Sequence, residues 1–278
     1  MRYNFKFGDK FLLTPKTDFG GIYSTLVAGY YAPFINSIGS DDVILDGGAN
    51  VGAFTIAASK LAKLVISVEP NSENFRYLVH NIKANKIENV VLINAALSSY
   101  DGVVNFAGDG EIGHISSNGI KIDSVTIDSL EDRFNIRFSG IKLDIEGAEP
   151  IAILGGGKKA INHVKRIIYE LDERQFFAIN TAFNSVNSQF SYEELNRNLE
   201  NIGFTLISYK PDFQRLKLLK ENICSKRVRI RDIIFNEVRN NFWFELETFK
   251  SIFTSRYSNE PYNYDFMMIY ASKEFRSL

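Results

Sequence analysis

The sequence predicts an α/β fold, a three-layer Rossmann-like arrangement on a seven-stranded mixed sheet whose last strand runs antiparallel. Three observations carry this. An apolar run, Val43, Ile44 and Leu45, leads into Asp46-Gly47-Gly48-Ala49-Asn50-Val51-Gly52 and out into a helical pattern. Apolar runs and segments of helical period then alternate, which calls for parallel strands joined by helical crossovers. Two late apolar runs, 204–209 and 265–272, flank a long insertion and close the sheet as an antiparallel hairpin.

Taken in order, residues 1–40 form a cap segment. It holds a strand or hairpin to about residue 13 and a helix over about 23–38 that Pro33 interrupts. The first core strand is 43–46, the helix after it spans about 50–61, and the second strand is 64–69. Phe75, Leu78, Val79 and Ile82 have helical spacing, and Asn71 or Ser72 caps their helix. The third strand, 90–94, is continuously apolar, as a strand covered on both faces must be. Short strands at 103–106 and 120–127 enclose a glycine-rich loop that carries His114. The fourth strand runs into Asp144, a short helix stops at Gly155-Gly156-Gly157, and the fifth strand is 166–171. Ser191 to Glu194 reads as a capping box, with Phe190 and Leu195 as its hydrophobic staple. Residues 41–278 thus read as one catalytic domain, with a helical insertion at about 211–262 between its last two strands.

The glycine turn is where a ligand can lie on bare backbone. Gly47 and Gly48 permit angles that a Cβ forbids, and Gly52 allows close approach at the first helical turn. A dinucleotide site needs G-x-G-x-x-G, and here Ala49 takes the middle glycine position. Asp46, at the strand tip, repels a pyrophosphate and suits a cationic amino-acid end. S-adenosylmethionine has no phosphate and carries both a sulfonium and an ammonium. Glu69 lies where an acid at the tip of the second strand meets ribose hydroxyls in such folds, with Pro70 and Asn71 beside it. The competing reading makes Glu69 a charge that merely opens the next helix. Gly48, Asn50 and Gly52 complete the cofactor loop.

These stretches resemble a known family. DGGANVG, then SVEPNSENFRYLVHNIKANKIENVVLINAALSSYDG, then IKLDIEGAEPIAILGG at 141–156 are similar, in order, to the FkbM-like methyltransferases, a branch of the class I S-adenosylmethionine-dependent enzymes. The resemblance covers 42–170. It implies the class I methyltransferase fold, S-adenosylmethionine as cofactor, and O-methyl transfer to a hydroxyl of a small molecule or a sugar. It also implies adenine near Ala95 and Ala96, whose competing reading is ordinary packing. Such enzymes often close a pre-core segment over the cofactor, which makes Tyr23 and Tyr30 candidate contacts, against the alternative of aromatic core.

The second chemical centre is Asp144, Glu146 and Glu149 around the end of the fourth strand. Their mutual repulsion needs a positive offset, either the sulfonium or a divalent cation such as magnesium, for which Asp144 would be the ligand. Helix capping explains Glu149 well and Asp144 poorly. A hydroxyl is a poor nucleophile at neutral pH, so a base should assist. Asp144 and Glu146 are the candidates, with His114 and Glu170 behind them.

Composition bounds the partners. A formal net charge of −1 over 278 residues gives no global drive toward nucleic acid or anionic membrane. A nucleic-acid methyltransferase is the alternative, and two features weigh on it. The insertion carries Lys226, Arg227, Arg229 and Arg231, but the strand-four tip reads Asp144-Ile145-Glu146-Gly147 where base-amine enzymes carry Asp-Pro-Pro-Tyr. The expectation is therefore a small-molecule or carbohydrate acceptor, with nucleic acid disfavoured. A nicotinamide oxidoreductase shares the glycine loop and Glu69, but Ala49, Asp46 and the terminal hairpin count against it. Phe242, Trp243, Phe244, Phe249 and Phe253 in the insertion suit a lid, a basic aromatic surface for an anionic or lipid-linked acceptor at a membrane surface, or an oligomer contact. The one cysteine, Cys224, excludes an intramolecular disulfide and any multi-cysteine metal site. With no signal peptide and no apolar run of membrane-spanning length, the expected location is cytoplasmic.

Overall fold

The computed structural model describes residues 2–7, 10–15, 25, 30–108, 113–116, 118–172, 176, 179, 190–209, 242–243 and 267–273. In chain order the elements are β1 (Arg2–Phe7), β2 (Lys10–Pro15), α1 (Ala32–Ile35), β3 (Val43–Gly47), α2 (Ala53–Ser59), β4 (Leu64–Val68), α3 (Ser72–Ala84) and β5 (Val90–Ile93). Then follow β6 (Ala96–Leu97), β7 (Gly102–Ala107), β8 (His114–Ile115), β9 (Ile120–Val125), α4 (Ile127–Phe134), β10 (Gly140–Leu143), a π-helical turn (Ile151–Gly155) and α5 (Ala160–His163). The chain continues with β11 (Arg166–Leu171), α6 (Tyr192–Asn201), β12 (Thr205–Tyr209), β13 (Phe242–Trp243) and β14 (Met267–Ser272).

The main sheet has seven strands in the order β12-β14-β11-β10-β3-β4-β5. β14 is antiparallel to both β11 and β12, while β3, β4, β5, β10 and β11 pair in parallel. This is the class I methyltransferase arrangement that the sequence predicts. The central strands are mainly apolar because helices cover both faces, and the polar exceptions, Asp46, Ser67 and Lys142, lie near their carboxyl ends. Ile44, Val65 and Ile168 pack with Phe34 and Phe54 from the α1 and α2 side. Their neighbours Leu45, Ile66, Ile141 and Ile167 pack on the opposite side with Leu130, Ile161 and Leu195 from α4, α5 and α6.

Several expectations shift. Pro33 opens α1 instead of interrupting it, since a proline in the first turn gives up an N–H that has no partner there. α2 starts only at Ala53, because Asn50 and Gly52 hold left-handed angles of +50° and +97° and keep the chain in a loop. β5 is an edge strand with half-buried residues, not one covered on both faces. The expected strand over 120–127 gives way to α4 at Ile127, where Thr126 and Ser129 form a reciprocal capping box. Asn71 caps α3 through its side chain, accepting from the N–H groups of Glu73 and Asn74.

β1 and β2 form a hairpin to which β13 adds a third strand. Leu12 of β2 packs against Ala53, Ile56, Leu78 and Ile82 of α2 and α3. Tyr23, Cys224 and the insertion outside 242–243 lie outside the described residues. Among the described residues, no helix is long and apolar enough to cross a membrane.

Ile66 is fully buried in the central strand β4. Ile66→Ala is expected to cost about 2–5 kcal/mol, through lost transfer energy and the cavity left behind. Urea unfolding followed by circular dichroism measures it.

Candidate active site

The parallel register assembles the site in three rows. In the inner row, Ile168 aligns with Lys142, Lys142 with Asp46, and Asp46 with Ser67. One residue further, Tyr169, Leu143, Gly47 and Val68 align. The next residue of each chain, at the carboxyl edge, is Glu170, Asp144, Gly48 or Glu69. Three carboxylates and one glycine thus come from neighbouring strands to the edge where ligands of open α/β sheets collect.

Beneath this edge lies a buried cation. Lys142 is 2% exposed and Asp46 0%. Lys142 Nζ sits 3.0 Å from Asp46 Oδ1 and donates to the carbonyls of Gly47 and Gly48 at 3.1 and 2.8 Å. The rings of Tyr31 and Phe54 lie 5.3 and 5.7 Å from it. Burial pulls the lysine pKa down, but Asp46 and then Asp144 outweigh it, and the value ends above that of an ordinary lysine. The lysine therefore stays charged. Thr55 donates to the other Asp46 oxygen at 2.5 Å and contacts Ser67 Oγ at 2.9 Å. Asp46 is thus sealed below the turn by Lys142 and Thr55, whereas the sequence argument has it at the strand tip facing a cationic amino-acid end.

The glycine turn folds over this ion pair. Gly48 has φ of +71°, and a Cβ on it would come 1.8 Å from the Asp144 carbonyl oxygen. Only glycine fits between the two strand ends. Gly47 needs no unusual angle; it leaves space for Leu97 and Leu143 instead. Gly52, expected to admit a ligand, lies where Leu78 of α3 would meet a Cβ at 2.6 Å. Asn50 turns its N–H to Glu69 Oε2 at 2.7 Å, and Asn71 gives its N–H to Oε1 at 2.8 Å. Glu69, 5% exposed, is therefore oriented from both sides. It thereby presents an oriented carboxylate, a group that accepts hydrogen bonds from hydroxyls such as those of a ribose. The Asn94 amide donates to the Glu69 and Pro70 carbonyls at 2.7 and 3.2 Å and ties β5 to this tip.

On the other side of Gly48, Asp144 accepts from the Tyr31 hydroxyl at 2.5 Å. Asp144, Glu146 and Glu170 are half-buried. Desolvation first, then the Asp144 charge and a hydrogen bond with it, push the Glu170 carboxyl well above the usual range and favour its protonated form. Glu146 and Gly147 both have positive φ, +57° and +91°, a strained turn for a residue with a Cβ. Glu149 holds that turn from below. It is fully buried, accepts from the Ile145 N–H at 2.9 Å and accepts the Tyr192 hydroxyl at 2.5 Å.

Ala95 and Ala96 are buried, and Ala96 packs with Ile115, Ala148 and Ile151. His114 is on β8, the outer strand of the small sheet β6-β9-β7-β8. Ile115 faces the cluster that contains Ala148, so strand alternation sends His114 the other way. Among the described residues no three His, Cys, Asp or Glu side chains are grouped to hold a metal ion. Lys142, whose charge acts first on Asp46 and then on Asp144, is a positive offset that the chain itself supplies there. Lys142, Tyr31, Thr55 and Tyr192 escaped the sequence reading. Only Lys142 left a signal there, as a charge inside the four-residue strand Gly140–Leu143. Tyr30, one of the expected aromatic contacts, packs in the core with Phe34 and Phe54.

Comparison with known proteins identifies the family. The Methyltransferase FkbM domain model matches residues 46–206. A tRNA (guanine(37)-N(1))-methyltransferase of Drosophila melanogaster is 36% identical over 86 residues, 31% of this chain and 18% of that protein. Ribosomal RNA small subunit methyltransferase A of Desulforapulum autotrophicum is 32% identical over 124 residues, 44% of this chain and 43% of that one. The chain thus spans less than half the length of these curated relatives. A solved methyltransferase FkbM from Methylobacillus flagellatus superimposes with a TM-score of 0.39 at 17% identity, covering 62% of this chain and 41% of that one. These relatives overturn the expectation of a small-molecule or carbohydrate acceptor with nucleic acid disfavoured. The missing Asp-Pro-Pro-Tyr tip, which weighed against nucleic acid, speaks only to base amines.

Two outcomes follow from the buried charges. Glu149, pushed by burial to about 7 from an ordinary 4.5, makes the folded state bind more protons than the unfolded one between those values. Its contribution to stability is full below about pH 4.5 and is lost as pH rises through 7, a span of about 3 kcal/mol. Glu149→Gln should flatten that slope in denaturant midpoints measured from pH 4.5 to 8. Lys142→Met leaves Asp46 buried without its cation and should cost about 3–5 kcal/mol, while Asp46→Asn added to it should recover part of the loss. Chemical unfolding of the two variants checks this.

The match over residues 46–206, with the sheet order and the glycine turn, places the chain in the FkbM methyltransferase domain family, as an S-adenosylmethionine-dependent methyltransferase.

Proposed function

We propose that this methyltransferase acts on RNA, at a nitrogen or oxygen that gives up a proton as the methyl group arrives. The observation that supports the proton-accepting part of the reading is the half-buried Asp144 beside the glycine turn; the RNA part is supported by the relatives. The named relatives methylate tRNA and rRNA, one of them at guanine N1, a ring nitrogen that carries a proton. An exocyclic amine can attack first and lose its proton afterwards. A ring N–H or a hydroxyl needs a base at hand, and the acids at this tip suit that need.

In this reading Glu69 holds the ribose hydroxyls of S-adenosylmethionine, with Pro70 and Asn71 shaping that end. The backbone of Gly48 and Asn50 forms the floor, with Gly52 packed on Leu78 behind it, and Ala95 and Ala96 border the adenine. When bound, the cofactor supplies a methyl group on a sulfonium, which departs as a neutral thioether. Asp144 accepts the acceptor's proton, Glu146 adds negative potential that favours that transfer, and the fixed strand ends keep the attacking atom in line. Residues 1–40 precede the core as its cap segment, and 211–262 fall in sequence between the last two strands of the main sheet. Lys226, Arg227, Arg229 and Arg231 there supply the charge that a phosphate backbone requires.

Purified protein with methyl-labelled S-adenosylmethionine should label total RNA, with binding that weakens steeply as salt rises. Label found only in acceptors other than RNA would contradict the reading. Glu69→Ala should weaken cofactor affinity roughly 10- to 100-fold by calorimetry, as expected for hydrogen bonds to a charged group. Asp144→Asn should leave that affinity nearly unchanged while turnover falls.

A further inference from the structure

Tyr31 lies before the matched family region, which begins at residue 46. Its hydroxyl nonetheless donates to Asp144 Oδ2 at 2.5 Å, across a separation of 113 residues. The phenol is 3% exposed, so it works from beneath the edge and does not meet the acceptor itself. Its ring is fixed on two sides. It stands edge-on to Phe54, with centroids 5.4 Å apart and an 80° angle between planes, and Lys142 Nζ lies 5.3 Å from its centroid. That ammonium is itself tied to Asp46 and to the Gly47 and Gly48 carbonyls. A chain of rigid contacts thus runs from the glycine turn, through the ammonium and the ring, to one oxygen of Asp144.

A carboxylate on a half-buried strand end has a broad χ2 and no preferred orientation of its own. A charge-assisted hydrogen bond from a fixed donor supplies one. We propose that Tyr31 is a positioning residue of the methyl-transfer site, fixing the Asp144 carboxylate in one orientation relative to the glycine turn. Burial and the surrounding acids raise the phenol pKa, which keeps it a donor throughout the working range. The proposal rests on the reading in which Asp144 serves the acceptor.

The test is a double-mutant cycle of Tyr31→Phe, Asp144→Asn and the pair, made in the full chain. Methyl transfer is measured into a whole-cell extract separated into RNA and other fractions. Tyr31→Phe should lower kcat about 10- to 100-fold, the range of a charge-assisted hydrogen bond, with KM for S-adenosylmethionine within about twofold. In the Asp144→Asn background the same change should cost less than about twofold, because residues that act as a unit are not additive. An unchanged kcat in Tyr31→Phe, an equal loss in both backgrounds, or a loss that only tracks the folded fraction in thermal unfolding overturns the proposal. Wild-type label confined to the fractions other than RNA defeats the RNA reading alone, since the cycle is then read on those acceptors. Transfer to neither fraction defeats both.

Discussion

The site depends on a buried ammonium beneath a row of carboxylates. Glu170, Asp144 and Glu69 reach the same sheet edge from β11, β10 and β4, with Asp46 two residues further in on the intervening β3, and in a desolvated place such crowding is unfavourable. Lys142 offsets it from within the sheet, paired with Asp46 and bonded to two carbonyls of the glycine turn. A buried ion pair of this kind adds little net stability compared with apolar packing. Its contribution here is orientational, since it ties the loop after β3 to strand β10 and sets the positions of the acids above.

From that constraint the division of labour follows. The acid in the glycine motif is closed off by Lys142 and Thr55, so it builds the floor of the site. Asp144 and Glu170 stay half-buried at the edge, and Glu69 is held there by two backbone N–H groups; the proposed function gives these acids the ligand. Gly48 separates them, and its missing Cβ lets the β3 and β10 ends approach within a backbone contact. The tyrosines act beneath this edge. Tyr31 reaches Asp144 from the α1 side, and Tyr192 reaches Glu149 from the α6 side, so each face of the sheet contributes one phenol to hold a carboxylate.

Much of the fold is legible in the sequence because parallel strands covered on both faces must be apolar without interruption, and their crossovers must show helical period. Those two patterns find the core strands, and the late pair of apolar runs finds the antiparallel hairpin. α4 is missed because the eye follows the apolar residues from Ile120 to Ile127 past the polar cap at Thr126. The acids of the site are legible because each ends an apolar run. Lys142 is visible only as a charge in the middle of a buried strand, which demands a partner that the sequence does not name. Tyr31 has no local signal, since its role depends on a contact with Asp144 that no spacing encodes. Composition is a weak guide to the acceptor for a related reason: near-neutral net charge averages away a local basic run, and a tip motif for base amines excludes only one kind of nucleic-acid chemistry.

The most direct test of the central claim is a crystal structure with S-adenosylhomocysteine bound. The account predicts the ribose on Glu69, the amino-acid end toward Asp144, and the Lys142 to Asp46 pair intact below the glycine turn. A ligand seated on Asp46 with Lys142 displaced, or one bound away from the row formed by Glu69, Gly48 and Asp144, would contradict it.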